Sequence, residues 1–419
     1  VSRRIEGSER SQAMEGGSMV IVGAGLAGDT AAEQLRESRW QGRIVLIGDE
    51  PHRPYDRPPL SKAALASSDA DERLFYHPTS WYEEQGVELR LGEAVRRIDL
   101  ASRCVVMPSG EHVSFRKLLI ATGAAARRLP LLEAGPAPVC CVRSLHDARR
   151  LRALLQPGAR VVVAGGGVIG LEIAASAIRI GCAVTVVEAA PRVMARTACP
   201  MLSAFLADRH RSFGVRLVVG AQVTDVRAEG AASRLLLSSG ASVTADVVVA
   251  GVGARPNTEL AEAAGLRVDD GILVDATTRT SHPDVHAAGD VARFAHAGGV
   301  ERAEHWRHAS EHAAVAARAM VGEACEYRPS PWLWSEQYDL DIQITGRGAG
   351  RSDVLRGRLE DGAFTIFHLD EGRIVGATSV NQGRHRRQLA QLVGRCAAID
   401  PAVLQDPAVA MKTLLDAVA

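Results

Sequence analysis

Two sets of three glycines are the residues here whose spacing points most directly to chemistry. Gly165-x-Gly167-x-x-Gly170 follows the β-branched run Val161 to Val163 and opens a helical stretch that stops at Gly181. A second apolar run ends in Glu188, 23 residues after Gly165. Strand, glycine turn, helix and strand in that order make a dinucleotide-binding unit. Gly165 permits the tight turn, Gly167 lets the backbone approach a pyrophosphate, and Gly170 lets the helix pack on its strand. The helix start at Val168 and Ile169 offers unpaired N–H donors to phosphates. Glu188 sits where a carboxylate accepts hydrogen bonds from a ribose diol.

The pattern occurs twice. In MVIVGAGLAG, Gly23-x-Gly25-x-x-Gly28 opens a helix reaching to about Trp40, and the strand RIVLIGDE closes on Asp49 and Glu50. One such unit takes either NAD or FAD. Two in one chain imply that both are bound and that a hydride passes between them. The loop DEPHRPYDRPPLSK is restrained by Pro54, Pro58 and Pro59. Its Arg57 is a natural pyrophosphate partner. Lys62 begins a helix, where the ordinary role of a lysine is a solvated start. Ala121-Thr122-Gly123 ends an apolar strand where backbone can approach the FAD. Gly251-Val-Gly253 turns after the buried run Val247 to Ala250. Asp290, after Gly289, can accept bonds from ribityl hydroxyls.

These residues need a scaffold, and the chain is long enough to supply one. At 419 residues it exceeds a single typical domain. The fold class expected is α/β: two Rossmann-like dinucleotide-binding domains, the NAD unit inserted into a discontinuous FAD domain, plus a C-terminal α+β domain. Residues 1–18 read as a disordered polar leader, native or a cloning remnant, with Met14 and Met19 as alternative starts. Residues 19–122 and 246–324 form the FAD domain, 123–245 the NAD domain and 325–419 the last domain. Residues 87 to 122 alternate polar and apolar around Ser109-Gly110, so VELRLGEAVRRID and RCVVMPSGEHVSF are expected to form a small antiparallel excursion. PWLWSEQYDLDIQITG concentrates aromatics that make up only 4% of the chain. Hairpins follow at Asp361-Gly362 and Glu371-Gly372, then a basic amphipathic helix in RHRRQLAQLVGR.

Lys+Arg and Asp+Glu both number 49, which argues against a general polyanion binder. No run of eighteen apolar residues is present, and the chain reads as cytoplasmic. The seven cysteines contain no CxxC pair and no zinc spacing, so neither a metal site nor a disulfide framework is expected.

GAGLAG, RPYDRPPLSK, ATG, GGGVIGLE, VGARPN, AAGDVARF, AEHW and PWLWSEQY follow one another as in the oxygenase-coupled ferredoxin reductases. The sequence resembles that family from about Met19 to its C-terminus. The resemblance implies FAD held by the first and third segments and NADH by the middle one. It implies that Lys62 and Glu172 pair near the reacting face of the flavin, and that Ala27, Asp49 or Glu50, Arg57, Lys62, Val95, Arg143, Asp290 and Trp306 line the FAD. Flavin takes two electrons as a hydride and releases them singly, so a ferredoxin, of the [2Fe–2S] kind, is the implied acceptor. A ferredoxin is commonly acidic, which makes Arg307, Arg318, Arg384, Arg386 and Arg387 candidates for its docking face, with Trp332 and Trp334 close by. Glu188 implies NADH over NADPH, with Arg192 or Arg196 placed to soften that choice. Monomer and homodimer both stay open. A disulfide reductase or NADH oxidase relative would need redox cysteine beside the flavin, and neither the first glycine-turn helix nor the Lys62 segment has any. A binding flavoprotein similar to apoptosis-inducing factor would favour a basic surface or a targeting segment.

Overall fold

The computed structural model describes residues 17–296, 299–329 and 331–418. The polar leader expected over residues 1–18 lies, up to residue 16, outside the described residues. The chain forms two compact units. One comprises the chain up to Asp56, Glu72–Ala125 and Ala254–Pro329; the other comprises Arg57–Asp71, Ala126–Gly253 and the chain after Pro329.

The first unit is built on a parallel sheet in the order Val285–Ala287, Lys117–Ile120, Met19–Val22, Ile44–Gly48, Val87–Leu91. The strand Met19–Val22 is completely apolar because it is buried on both faces, as a parallel sheet covered by helices requires. The order reverses around Met19–Val22, so the crevice at its carboxyl end is the natural ligand position. The helix Leu26–Glu37 leaves that end and packs on Trp306–Met320 through small side chains, among them Ala31, Ala32, Ala313 and Ala317. VELRL departs from expectation. It pairs in parallel with Ile44–Gly48 as the edge of the main sheet, and only Arg97–Asp99, Cys104–Val106 and His112–Ser114 form the antiparallel excursion. Its alternation reflects an edge strand with one covered face, which periodicity alone cannot tell from a hairpin arm.

The second unit repeats the design. Arg216–Val219, Ala183–Glu188, Arg160–Ala164, Val247–Ala250 and Val139–Cys140 lie in that order, all parallel. The helix Val168–Ile180 leaves the central strand and ends at Gly181, whose φ of 98° is the left-handed cap that glycine favours. The same unit holds an antiparallel sheet in the order Trp332–Gln337, Leu340–Gly346, Arg373–Val380, Ala363–Asp370, Ser352–Arg358. Leu340, Ile342, Ile344, Phe364 and Ile366 from this sheet share a core with Leu171, Leu202 and Leu206. That shared core fixes the Val168–Ile180 helix against the strand Trp332–Gln337. No helix among the described residues is long and apolar enough to cross a membrane.

Candidate active site and nucleotide cradles

The first and third glycines of each turn are demanded by packing, and the middle one is not. A Cβ on Gly23 would lie 2.1 Å from the Ala121 carbonyl oxygen, and one on Gly28 would lie 1.9 Å from that of Gly23. Gly165 and Gly170 are equally confined, by the carbonyl of Gly251 at 2.3 Å and that of Gly165 at 2.1 Å. At Gly25 and Gly167 a Cβ would meet nothing within 4 Å. Both of these residues N-cap their helices without any side-chain cap. Bare backbone, open approach and unpaired first-turn N–H groups are what a pyrophosphate needs, so the residues present fit a dinucleotide at each turn.

Glu188 and its equivalent position differ in an informative way. Its carboxylate is already held, accepting from the Gly166 N–H and from the Ala190 N–H, each at 2.6 Å. A carboxylate has lone pairs for about four bonds, so two ribose hydroxyls can still be served. Register places Val187 opposite Ala164 and Ile47 opposite Val22, which makes Gly48 the counterpart of Glu188. There a Cβ would come within 2.6 Å of the Ala24 Cβ. The first unit therefore carries Ala24 with Gly48 where the second carries Gly166 with Glu188, and its acids are displaced past the strand. Of these, Asp49 is exposed, while Glu50 is half-buried and accepts from the Tyr55 hydroxyl at 2.6 Å.

Arg192 does not reach outward as the sequence allowed. Its guanidinium donates to the Ala198 carbonyl at 2.7 Å, to the Ser203 hydroxyl at 2.6 Å and to the Ala195 carbonyl at 3.1 Å. Arg196 is exposed. Ile169, at the start of the same helix, is half exposed despite being apolar.

The structure brings Lys62 and Glu172 together within the second unit, Nζ to Oε1 at 3.3 Å. Lys62 follows the short 3-10 turn Pro58–Ser61 and precedes Ala63–Ala66. That segment is anchored by Ser176, whose hydroxyl donates to the Ser61 carbonyl at 2.8 Å, and by Arg152, which donates to the Ala64 carbonyl at 2.7 Å. Glu172 lies one turn into the Val168–Ile180 helix and is 4% exposed, against 16% for Lys62. Its carboxylate also accepts from Ser61 at 2.5 Å and Ser335 at 2.7 Å. At 3.3 Å the attraction is about 5 kcal/mol at an effective dielectric of 20, and desolvation of both ions offsets much of it. The Lys62 ammonium lies 5.6 Å from the Trp334 ring, which stacks on Trp332 at 5.0 Å, and the Arg386 guanidinium lies 4.4 Å over Trp332.

Arg57 and Arg143 belong to this second unit and meet, the Arg57 guanidinium donating to the Arg143 carbonyl. Apart from Lys62, the other residues expected around the FAD belong to the first unit. Thr122 and Gly123 are fixed by Asn257, which donates to the Thr122 carbonyl at 2.8 Å and accepts from the Thr122 hydroxyl at 2.8 Å. Gly289 has a φ of 76°, and a Cβ there would sit 3.1 Å from that of Ala27, bringing the Asp290 turn against the first helix. Trp306 donates to Asp56 at 3.0 Å, as Tyr76 does at 2.9 Å. Val95 is a core residue of the first unit. Gly253 accepts from the Arg127 N–H at 2.9 Å. Among the candidate docking arginines, Arg307 pairs with Glu311 and Arg318 with Glu323, whereas Arg384, Arg386 and Arg387 are exposed.

Reading the sequence alone missed Ser61, Ser335, Gln337, His210, Tyr338 and Asn257. Alternation along Trp332–Gln337, which puts Ser335 and Gln337 on one face, was the only signal for two of them.

Two glycine cradles and a lysine–glutamate pair beside the second of them define a dinucleotide-dependent oxidoreductase. Residues 17–313 match the pyridine nucleotide-disulphide oxidoreductase family and residues 332–415 match a reductase C-terminal domain. The chain is 41% identical over 407 residues to the anthranilate 1,2-dioxygenase system ferredoxin–NAD(+) reductase component of Burkholderia cepacia, covering 96% of this chain and 100% of that one. It is 37% identical over 388 residues to the 3-phenylpropionate/cinnamic acid dioxygenase ferredoxin–NAD(+) reductase component of Photorhabdus laumondii subsp. laumondii, covering 92% and 98%. Its fold matches the reductase of the covalent putidaredoxin reductase–putidaredoxin complex with a TM-score of 0.91 at 35% identity, over 96% of this chain and 99% of that one. The chain belongs to the pyridine nucleotide-disulphide oxidoreductase family, in its ferredoxin–NAD(+) reductase branch.

Proposed function

We propose that the protein is an FAD-containing reductase that takes electrons from NADH and passes them singly to a ferredoxin serving an aromatic-ring-hydroxylating oxygenase. Bound flavin supplies the conversion of a two-electron donor to one-electron output. The observation that carries this reading is the Lys62–Glu172 pair, built without cysteine beside the second glycine turn. Lys62 stabilises negative charge that develops on a reduced ring, and Glu172 balances the lysine otherwise. The cradle at Gly23, Gly25 and Gly28, with Asp49 or Glu50, Thr122 and Asp290, is assigned to FAD. The cradle at Gly165, Gly167 and Gly170, with Glu188 and Arg196, is assigned to NADH. The acceptor is taken to be a [2Fe–2S] ferredoxin, drawn to exposed Arg384, Arg386 and Arg387 and to the stacked Trp334 and Trp332. Free thiols and a nicotinamide donor suit a cytoplasmic setting.

Anaerobic reduction by NADH, followed by mixing with a panel of ferredoxins, tests the assignment. A yellow protein bleached by NADH and reoxidised by a ferredoxin is expected. A protein that reduces disulfides but no ferredoxin would overturn it.

A further inference from the structure

The Lys62–Glu172 pair stands at one end of a longer buried chain that its proposed role does not use. Ser335 donates to Glu172 Oε1 at 2.7 Å, and Gln337 Nε2 donates to the Ser335 hydroxyl at 3.0 Å. Gln337 Oε1 lies 2.9 Å from His210 Nε2, and His210 Nδ1 lies 2.9 Å from the Tyr338 hydroxyl. Ser335, Gln337 and His210 are each no more than 1% exposed. With His210 kept neutral by burial, only one assignment of protons satisfies every contact. An amide oxygen cannot donate, so His210 carries its proton on Nε2 and accepts from Tyr338 on Nδ1. Every donor from Tyr338 inward then points toward the carboxylate. An amide in the middle makes a poor proton relay, so the chain orients charge rather than moving protons.

The far end is held as firmly. Tyr338 stands at the turn between Trp332–Gln337 and Leu340–Gly346 with a φ of 57°, a conformation a bulky residue rarely adopts without compensation. Its ring stacks on Phe213 at 3.9 Å, Arg179 donates to its carbonyl at 2.5 Å, and neighbouring Asp339 pairs with Arg209. A strained turn held at three points places one hydroxyl on His210.

We infer that Tyr338, His210, Gln337 and Ser335 are positioning residues that keep the Glu172 carboxylate bonded to neutral donors and so hold Lys62 off at its longer distance. The two hydroxyls occupy Glu172 at 2.5 and 2.7 Å and leave the ammonium at 3.3 Å on an oxygen shared with Ser335. With Ser335 gone, Lys62 takes that oxygen alone and is drawn onto Glu172, away from any negative charge it would otherwise stabilise. This rests on the proposed place of Lys62 at the flavin.

The test measures the flavin midpoint potential of the holoenzyme, and the His210 ring nitrogens of the same protein by histidine 15N NMR. Ser335→Ala and Gln337→Leu should each lower the potential by about 15–30 mV, which is a three- to tenfold shift of a two-electron couple. Neither should lower it further in a Glu172→Gln background, whereas a merely structural role would act in both. His210 should show a single Nε2–H tautomer, which Gln337→Leu makes mixed by removing the amide acceptor, because the Tyr338 hydroxyl can then either donate to Nδ1 or accept from it. Unmoved potentials in Ser335→Ala and Gln337→Leu, with Glu172→Gln itself shifting the potential, would overturn the inference, as would an Nδ1–H tautomer. If Lys62→Met and Glu172→Gln both leave the potential unmoved, the placement of the pair at the flavin fails instead.

Discussion

Removing the carboxylate of Glu188 should abolish a preference for NADH over NADPH. The structure sharpens the magnitude. Glu188 is held by two backbone N–H groups at 2.6 Å, so it cannot swing away from an incoming 2′-phosphate. Arg192, the nearest cation in sequence, has its guanidinium engaged by the Ala195 and Ala198 carbonyls and Ser203. Only Arg196 of the two is exposed. Two like charges at 4 Å repel by about 4 kcal/mol at an effective dielectric of 20. Partial exposure and salt reduce that to roughly 1–3 kcal/mol, or about 5- to 150-fold in kcat/KM. Steady-state assays with both donors, one acceptor and one salt concentration should find the wild type in that range. Glu188→Gln should compress the ratio to within a few fold, mainly by improving NADPH. Arg196→Ala should lower kcat/KM for NADPH more than for NADH. Equal kcat/KM for the two donors in the wild type would rule out a specificity set by Glu188.

Lys62→Met should slow flavin reduction by NADH in stopped flow while leaving FAD content intact, and a wild-type rate would make the Lys62–Glu172 pair structural only. Glu172→Leu strands a lysine and two hydroxyls. It should cost about 2–4 kcal/mol in denaturant unfolding, below the usual cost of breaking a buried pair because Lys62 retains some contact with solvent. Charge reversal at Arg386 and Arg387 should weaken ferredoxin reduction, most at low salt, and spare dye reduction; equal loss of both would mark the cluster as structural. Acid should destabilise the first unit. Burial pushes His286, His305 and His308 down to about 4 and lowers His312 as well, so all are neutral when folded and charge on unfolding. Their stability is fully present above pH 6.5 and is lost as pH falls toward 4, at about 1.4 kcal/mol per pH unit for each. Asp29, raised to about 6 by burial, and Glu311, also raised by burial, act in the opposite sense, but they are two carboxyls against four histidines. Both ring nitrogens of His312 lack a hydrogen-bond partner among the described residues, so His312→Phe should keep the pH 7 melting temperature and flatten its decline toward pH 4. An unchanged slope would remove His312 from the explanation.

The nucleotide turns were legible because glycine spacing, flanking apolar strands and a terminal acid are all local features. Residues 161 to 188 fold as their pattern requires, and Lys62 and Glu172 meet as the resemblance implied. VELRL was misjudged because strand direction depends on its partner, not on its own alternation. The surroundings of Glu172 were invisible for a similar reason. Ser61 lies 111 residues from it and Ser335 163, while His210 reaches Gln337 across 127. No local rule links such positions, and a serine or glutamine on a strand looks the same whether it faces water or a buried carboxylate. The acid after the first nucleotide strand stayed ambiguous because Gly48 takes the register of Glu188, a substitution that makes sense only once Ala24 is seen against it.

The proposed function turns on converting a two-electron donor to one-electron output at a centre without cysteine. Anaerobic stoichiometry tests it most directly: NADH consumed is followed at 340 nm while a ferredoxin is reduced by the purified protein. One NADH should be oxidised for every two ferredoxin molecules reduced, with no change after the accessible thiols of the reductase, such as exposed Cys396, are alkylated. Loss of electron transfer on alkylation, or NADH consumed without any ferredoxin reduced, would contradict it.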